Sequence, residues 1–234
     1  AMISVYGTYN MVTVGLWGIL KMTTTGIYSG FGDLLVRGQQ EKFQQAYRDF
    51  EYLYLAITTV LFSVAAIMIV PFVVLYTDKI TDANYSAPLI GIMVVLEAIT
   101  DHGKMPMDLM ITASGKFKET RHQCTAQVIA AVVLGLGLGF WGLQTSMTMA
   151  VVGILAGIIL SNILRTILQL WFVPKYITHL PWQDTLKRIL RMMGEVALIA
   201  GPFLAFHLLD INGFFKWITL AVPLCIYASA ITLG

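Results

Sequence analysis

The sequence predicts an all-α, polytopic membrane helix bundle: a single transmembrane domain over residues 1–234, built from about seven spanning helices. Three observations carry this reading. Hydrophobic residues fill 57% of the 234 positions and charged residues only 12%, about half the share of an average soluble domain. Mean hydropathy is +0.75, which leaves too little polar sequence to cover a core in water. The apolar residues also fall in runs long enough to cross a hydrocarbon layer of about 30 Å, which takes about 20 residues of helix; open strands would leave their backbone groups unsatisfied there.

Seven runs meet that requirement: residues 5–36, 52–76, 88–112, 125–141, 147–173, 189–209 and 214–233. The first and third are unusually polar. Residues 37–51 mix charge with Phe43, Tyr47 and Phe50 and are expected to prolong the second helix along the interface. Residues 182–188, just after Pro181, combine Trp182 with basic side chains and suit either a surface-lying helix or a plain loop. Cys124 and Cys225 both fall in apolar runs, 101 positions apart, and read as small core residues rather than as a disulfide or zinc framework.

Orientation follows from the loops. Ten Lys and Arg residues, from Arg37 to Arg191, lie on one side and only Lys79 and Lys216 on the other, so the first side is expected to be cytoplasmic. That puts the N-terminus outside and the C-terminus inside. An odd number of spans entering from outside, with no signal peptide, leads to the expectation that the chain is the C-terminal part of a longer protein whose N-terminal lobe is missing here.

The net charge of +2 gives no reason to expect a nucleic-acid partner. Membrane lipids are the expected surroundings. His102, His122 and His179 form no metal constellation with other ligating residues, and no Walker loop, nucleophile elbow or H-E-x-x-H occurs. Neither a cofactor nor a metal is expected, and the chain does not read as an enzyme.

Charges at bilayer depth cost about 2.5–3.5 kcal/mol each on insertion scales, so those present should face a cavity or one another. In the first span Asn10, Thr13, Trp17, Lys21, Thr24 and Tyr28 recur at intervals of three and four, on one helix face. This face suits a lumen wall on which Lys21 meets an anion and Trp17 or Tyr28 packs on a sugar or another flat ligand. Its alternative is a Lys21 that snorkels to an interface or pairs with a carboxylate. In the third span Glu97, Asp101, Lys104 and Asp108 share a face, with Lys104 placed to pair with either aspartate and Glu97 left over. An unpaired carboxylate suits proton or cation relay; a solvated face with local ion pairs is the alternative. Pro106 should kink the helix beside this stripe. Arg165 lies in the fifth span, eight residues before Val173, and its guanidinium fork suits phosphate. Lys21 and Arg165 together would neutralise a diphosphate if the fold joins their helices. Glu195 and His207, on roughly one face of the sixth span, read as structural. Gly26 and Gly30, Gly135 and Gly139, and Gly153 and Gly157 each have the spacing of close helix crossings.

Residues 3–12 (ISVYGTYNMV) with 30–35 (GFGDLL), residues 76–89 (YTDKITDANYSAPL) and residues 112–120 (TASGKFKET) occur in an order and spacing that carry a likeness. Over residues 3–176 the chain resembles the C-terminal half of bacterial polysaccharide flippases, the O-antigen or capsule repeat-unit type of the multidrug/oligosaccharidyl-lipid/polysaccharide exporter superfamily. The resemblance implies a MATE-like transporter of two helical lobes around a central cavity in the cytoplasmic membrane. It also implies alternating-access transport of polyprenyl-diphosphate-linked oligosaccharide, without ATP hydrolysis, during polysaccharide biosynthesis. Basic cavity residues of such proteins receive the diphosphate; by position these are Arg165, in SNILRTILQL, and Lys21 as a cavity cation. The third span is more charged than the family's pattern.

Two rival readings remain at this level. One keeps the superfamily but exports drugs or metabolites, with Glu97 or Asp101 as the coupling carboxylate. The other is a membrane-embedded glycosyl or acyl transferase using Asp101 and His102 as acid and base, neighbours about 100° apart on a helix and so poorly placed to share a face.

Overall fold

The structure, a computed structural model, describes residues 2–206 and 213–233; His207 and the end of the sixth expected span lie outside them. It is an all-α bundle, with no strand among the described residues. In order the helices are α1 (Met2–Thr24), α2 (Ile27–Val36), α3 (Gln40–Tyr76), α4 (Pro88–His102), α5 (Met105–Ala113), α6 (Phe117–Leu143) and α7 (Met147–Val173), then a π-helical turn (Pro174–Thr178), α8 (Trp182–Phe206) and α9 (Phe214–Leu233).

Among the described residues four helices are long and apolar enough to cross a membrane: α3, α6, α7 with its π-helical extension, and α9. This fits a multi-pass membrane protein and falls short of the expected seven spans, for reasons that differ in each remaining case. The first is interrupted at Thr25 and Gly26, where Gly26 adopts a left-handed φ of 84°, and Thr8, Asn10 and Thr13 dilute the apolar content of α1. The third is two helices of 15 and 9 residues, separated at Gly103 and Lys104. The sixth is described only as far as Phe206.

The helix α3 is the spine. Its 37 residues, about 55 Å at 1.5 Å each, are longer than a hydrocarbon layer of about 30 Å, and of the residues 37–51 expected to prolong it, 40–51 are helical. Its deep part packs with α1, α4, α8 and α9 around Phe62, Met68, Ile69, Ile90 and Ile99. Its early turns build a second cluster in which Phe43 meets Phe31 edge-on at 5.7 Å, beside Leu109 and Met110. Residues 182–188 are neither a separate surface helix nor a loop but the first turns of α8. They are held there by buried Glu51, which accepts from Tyr47 and Thr185, each at 2.8 Å, and pairs with Arg188.

A buried Tyr9 fixes α1 against the start of α4. Its hydroxyl donates to the Tyr85 carbonyl at 2.9 Å and accepts from the Ala87 amide at 3.2 Å. Its ring lies so close over Gly91 that a Cβ there would meet it at 2.9 Å. The polar faces of α1 and α4 thereby oppose each other.

Two of the three glycine pairs do what their spacing suggested. Side chains at Gly153 and Gly157 would collide with the α6 backbone at Leu138 and Gly135, so α6 and α7 form a closely crossed hairpin. Gly26 and Gly30 have open space around them, and the pair marks the α1/α2 interruption rather than a crossing. Gly137 on α6 also faces open space. Gly153→Leu should therefore strongly lower the monodisperse fraction in detergent size exclusion, whereas Gly137→Leu should leave it unchanged.

Candidate functional site

Helices α1 and α4 enclose a polar cavity of about 340 Å³, lined by Asn10, Thr13 and Trp17 from one side and by Glu97, Asp101 and His102 from the other. A second cavity of about 150 Å³ continues past Trp17 to Lys21, Thr24, Tyr28 and Tyr54. Trp17 lines both. The stripe of α1 thus runs along both cavities and faces the first two carboxylates of the third-span stripe, Glu97 and Asp101, in the upper one, with the Lys21 amine in the lower. Tyr9 sets the spacing from above, and the α1/α2 interruption lets Tyr28 turn into the lower cavity.

Lys21 is exposed, with its amine 5.0 Å from the centroid of the Trp17 ring. That contact favours a cation by about 0.5–1 kcal/mol at an exposed site and leaves its three donors available. Glu97 is half-buried. Neither residue has an ion-pair partner among the described residues.

The third-span stripe does not remain one face. Lys104 is buried and pairs with the Asp101 carboxylate, while also donating to the Asp101 carbonyl at 3.0 Å. Asp108, one break further on, faces α7 instead. There its Oδ1 accepts from Arg165 Nη2 at 3.2 Å and from the Gln169 amide. The Asp101 and His102 side chains do reach the same cavity, contrary to the helical-wheel expectation, because α4 ends at that point. His102 is nevertheless buried, with its ring stacked at 5.6 Å on Phe62.

Arg165 is also buried, and it lines neither of the two cavities of the groove. The sequence placed it with Lys21 only on condition that their helices joined. Arg165 instead belongs to a polar layer between α5, α6 and α7: its Nη1 donates to Cys124 Sγ at 2.9 Å, and one turn away Gln127 donates to Asn162 at 2.8 Å. Cys124 is exposed rather than a core residue. Gln169 was not anticipated, although its position four residues after Arg165 puts it on the same helix face.

No protein-family model, curated protein or solved structure matches the chain.

The Asp108 and Arg165 side chains are 34% and 5% exposed, so losing one partner strands a charge that the other was neutralising. Asp108→Ala should cost about 2–3 kcal/mol, and adding Arg165→Met should recover much of that loss. Thermal unfolding of the purified protein and its variants checks this; additive losses in the double variant would contradict it.

Proposed function

We propose that this chain forms one wall of the transport cavity of a flippase, which carries polyprenyl-diphosphate-linked oligosaccharide across the bacterial cytoplasmic membrane by alternating access. The observation that carries the proposal is the lower cavity of the groove, bounded by α1, α2, α3 and α5, where the amine of Lys21 lies over Trp17 beside Tyr28. A diphosphate takes charge-assisted hydrogen bonds from the lysine, and the aromatic faces suit the apolar faces of sugar rings. The likeness of residues 3–176 to polysaccharide flippases supports the same cargo. In this reading the opposite wall comes from the N-terminal lobe of the full-length protein. The loops rich in Lys and Arg face the cytoplasm, with residue 1 outside and residue 234 inside. Arg165, already engaged by Asp108, holds α5 against α7, and Lys21 is the phosphate-binding cation.

Glu97 favours a second reading. It lines the same groove as Asn10, while its neighbour Asp101 is engaged by Lys104. A carboxylate so placed suits coupling to a cation, which makes a cation-coupled exporter of drugs or metabolites the runner-up.

Losing one charge-assisted contact of about 1.5–3 kcal/mol should lower flipping at least about tenfold. Lys21→Ala in the full-length protein, expressed as the sole flippase of its host, should reduce surface polysaccharide and accumulate lipid-linked intermediate at unchanged protein level. Unchanged polymer and intermediate would overturn the flippase reading. Loss of drug resistance in Glu97→Gln, with polymer unaffected, would favour the exporter.

A further inference from the structure

A large cavity lies away from the groove, where α7 hands over to α8. Its volume is about 910 Å³, within the about 300–1,000 Å³ usual for ligand pockets. Helix α7 widens into the π-helical turn, His179 reverses the chain with a φ of 54°, and α8 departs after Pro181, leaving a wedge between the two helices. The turn is pinned from outside: Gln44 donates to the Thr178 carbonyl at 2.9 Å and Lys116 to the Tyr176 carbonyl at 2.8 Å. Neither bond uses the wedge itself, so the rim is fixed and the space beneath it stays open.

The walls are apolar and tryptophan-rich, with Trp171 and Trp182 both exposed. Lys175 and His179 stand at the rim, the Lys175 amine 4.6 Å from the Trp171 centroid. A further apolar cavity of about 260 Å³ shares Ile167, Leu170 and Leu186 with the first and runs on between α7 and α8 to Ile99 and Gly103. The two form one crevice, basic at its mouth and apolar along its length, and no acidic side chain lines either part.

We propose that this crevice is a binding site for an anionic glycerophospholipid. One acyl chain lies between α7 and α8 along Leu170 and Leu186, and the phosphate sits at Lys175 and His179. The charge selects the headgroup: lysine offers three donors and the imidazole one whichever neutral tautomer it adopts, and nothing lining the crevice repels an anion. The length selects the tail, because an aqueous phosphate has no use for a slot of branched aliphatic side chains reaching Gly103. Trp171 and Trp182 suit the same depth, where amphipathic rings gather at the membrane interface. The site is separate from the α1 and α4 groove and does not depend on the flippase reading.

Brominated acyl chains quench nearby tryptophan, so the full-length protein in phosphatidylcholine vesicles, with a minor fraction of brominated lipid, reads the site directly. The contribution of Trp171 is the difference between the parent protein and Trp171→Phe. Brominated phosphatidylglycerol should quench it as though enriched about fivefold over the same chain on phosphatidylcholine, the effect of about one basic residue at an anionic surface. Lys175→Gln with His179→Gln should bring that ratio to one. Ile167→Phe, which narrows the crevice from an exposed position, should weaken quenching by both lipids. Equal quenching by the two lipids in the parent, or a preference that survives the double substitution, would overturn the proposal. Quenching unchanged in Ile167→Phe would place the lipid elsewhere, and a preference abolished by inorganic phosphate would make the rim a free-phosphate site instead.

Discussion

Pro106 removes one backbone donor from the third span, and its ring excludes the His102 carbonyl from an ordinary helical partner. Much of the polar architecture depends on how that loss is absorbed. Helix α4 stops at His102 and α5 starts at Met105, with Gly103 and Lys104 between them. Carbonyls released at a buried break need a partner from within the protein. Lys104 supplies one by donating to the Asp101 carbonyl, where a cation also complements the C-terminal end of the α4 dipole. Burying that amine requires an anion, and the Asp101 carboxylate provides it. The break also turns Asp108 off the α4 face and toward α7, where it meets Arg165. One proline thus divides four charges between two different sites.

The fold class was legible because composition and run length are global properties, insensitive to local detail. The two polar stripes were legible for a related reason: spacings of three and four define a face without any tertiary knowledge. That the faces oppose each other was not. It rests on Tyr9 bonding to Tyr85 and Ala87, contacts separated by 76 and 78 positions that no local pattern encodes.

Where a polar stripe or an expected span is divided, the cause is a break in the helix. A helical wheel assumes a continuous helix, and at Gly26 and Gly103 the chain is not continuous. Asp108 therefore leaves the face that spacing alone gives it, and Arg165, whose place beside Lys21 depended on their helices meeting, takes its partner from another helix. The same discontinuities remove the first and third runs from the long apolar helices, and the sixth run is described only as far as Phe206. Periodicity succeeded where backbone packing alone decides, as in the α6 and α7 glycines. It failed at Gly26 and Gly30, where the same spacing serves an interruption.

Charge pairing sorts the charged residues of the apolar runs into two groups. Asp33, Asp101, Lys104, Asp108, Arg165 and Glu195 all have ion-pair partners. Apart from Lys216 in the first turn of α9, the charged residues of the seven apolar runs without one among the described residues are Lys21 and Glu97. Both line the groove that Trp17 joins, one in each of its cavities. An uncompensated charge at depth is costly, and a groove that keeps two of opposite sign at separate ends retains unspent electrostatic attraction for a ligand. If the bundle were only a packed anchor, pairing Lys21 with Glu97 would be the cheaper arrangement. Keeping them apart is the arrangement on which the proposed transport reading rests: a cation available to an anionic group, and a carboxylate without an ion-pair partner among the described residues in the other cavity.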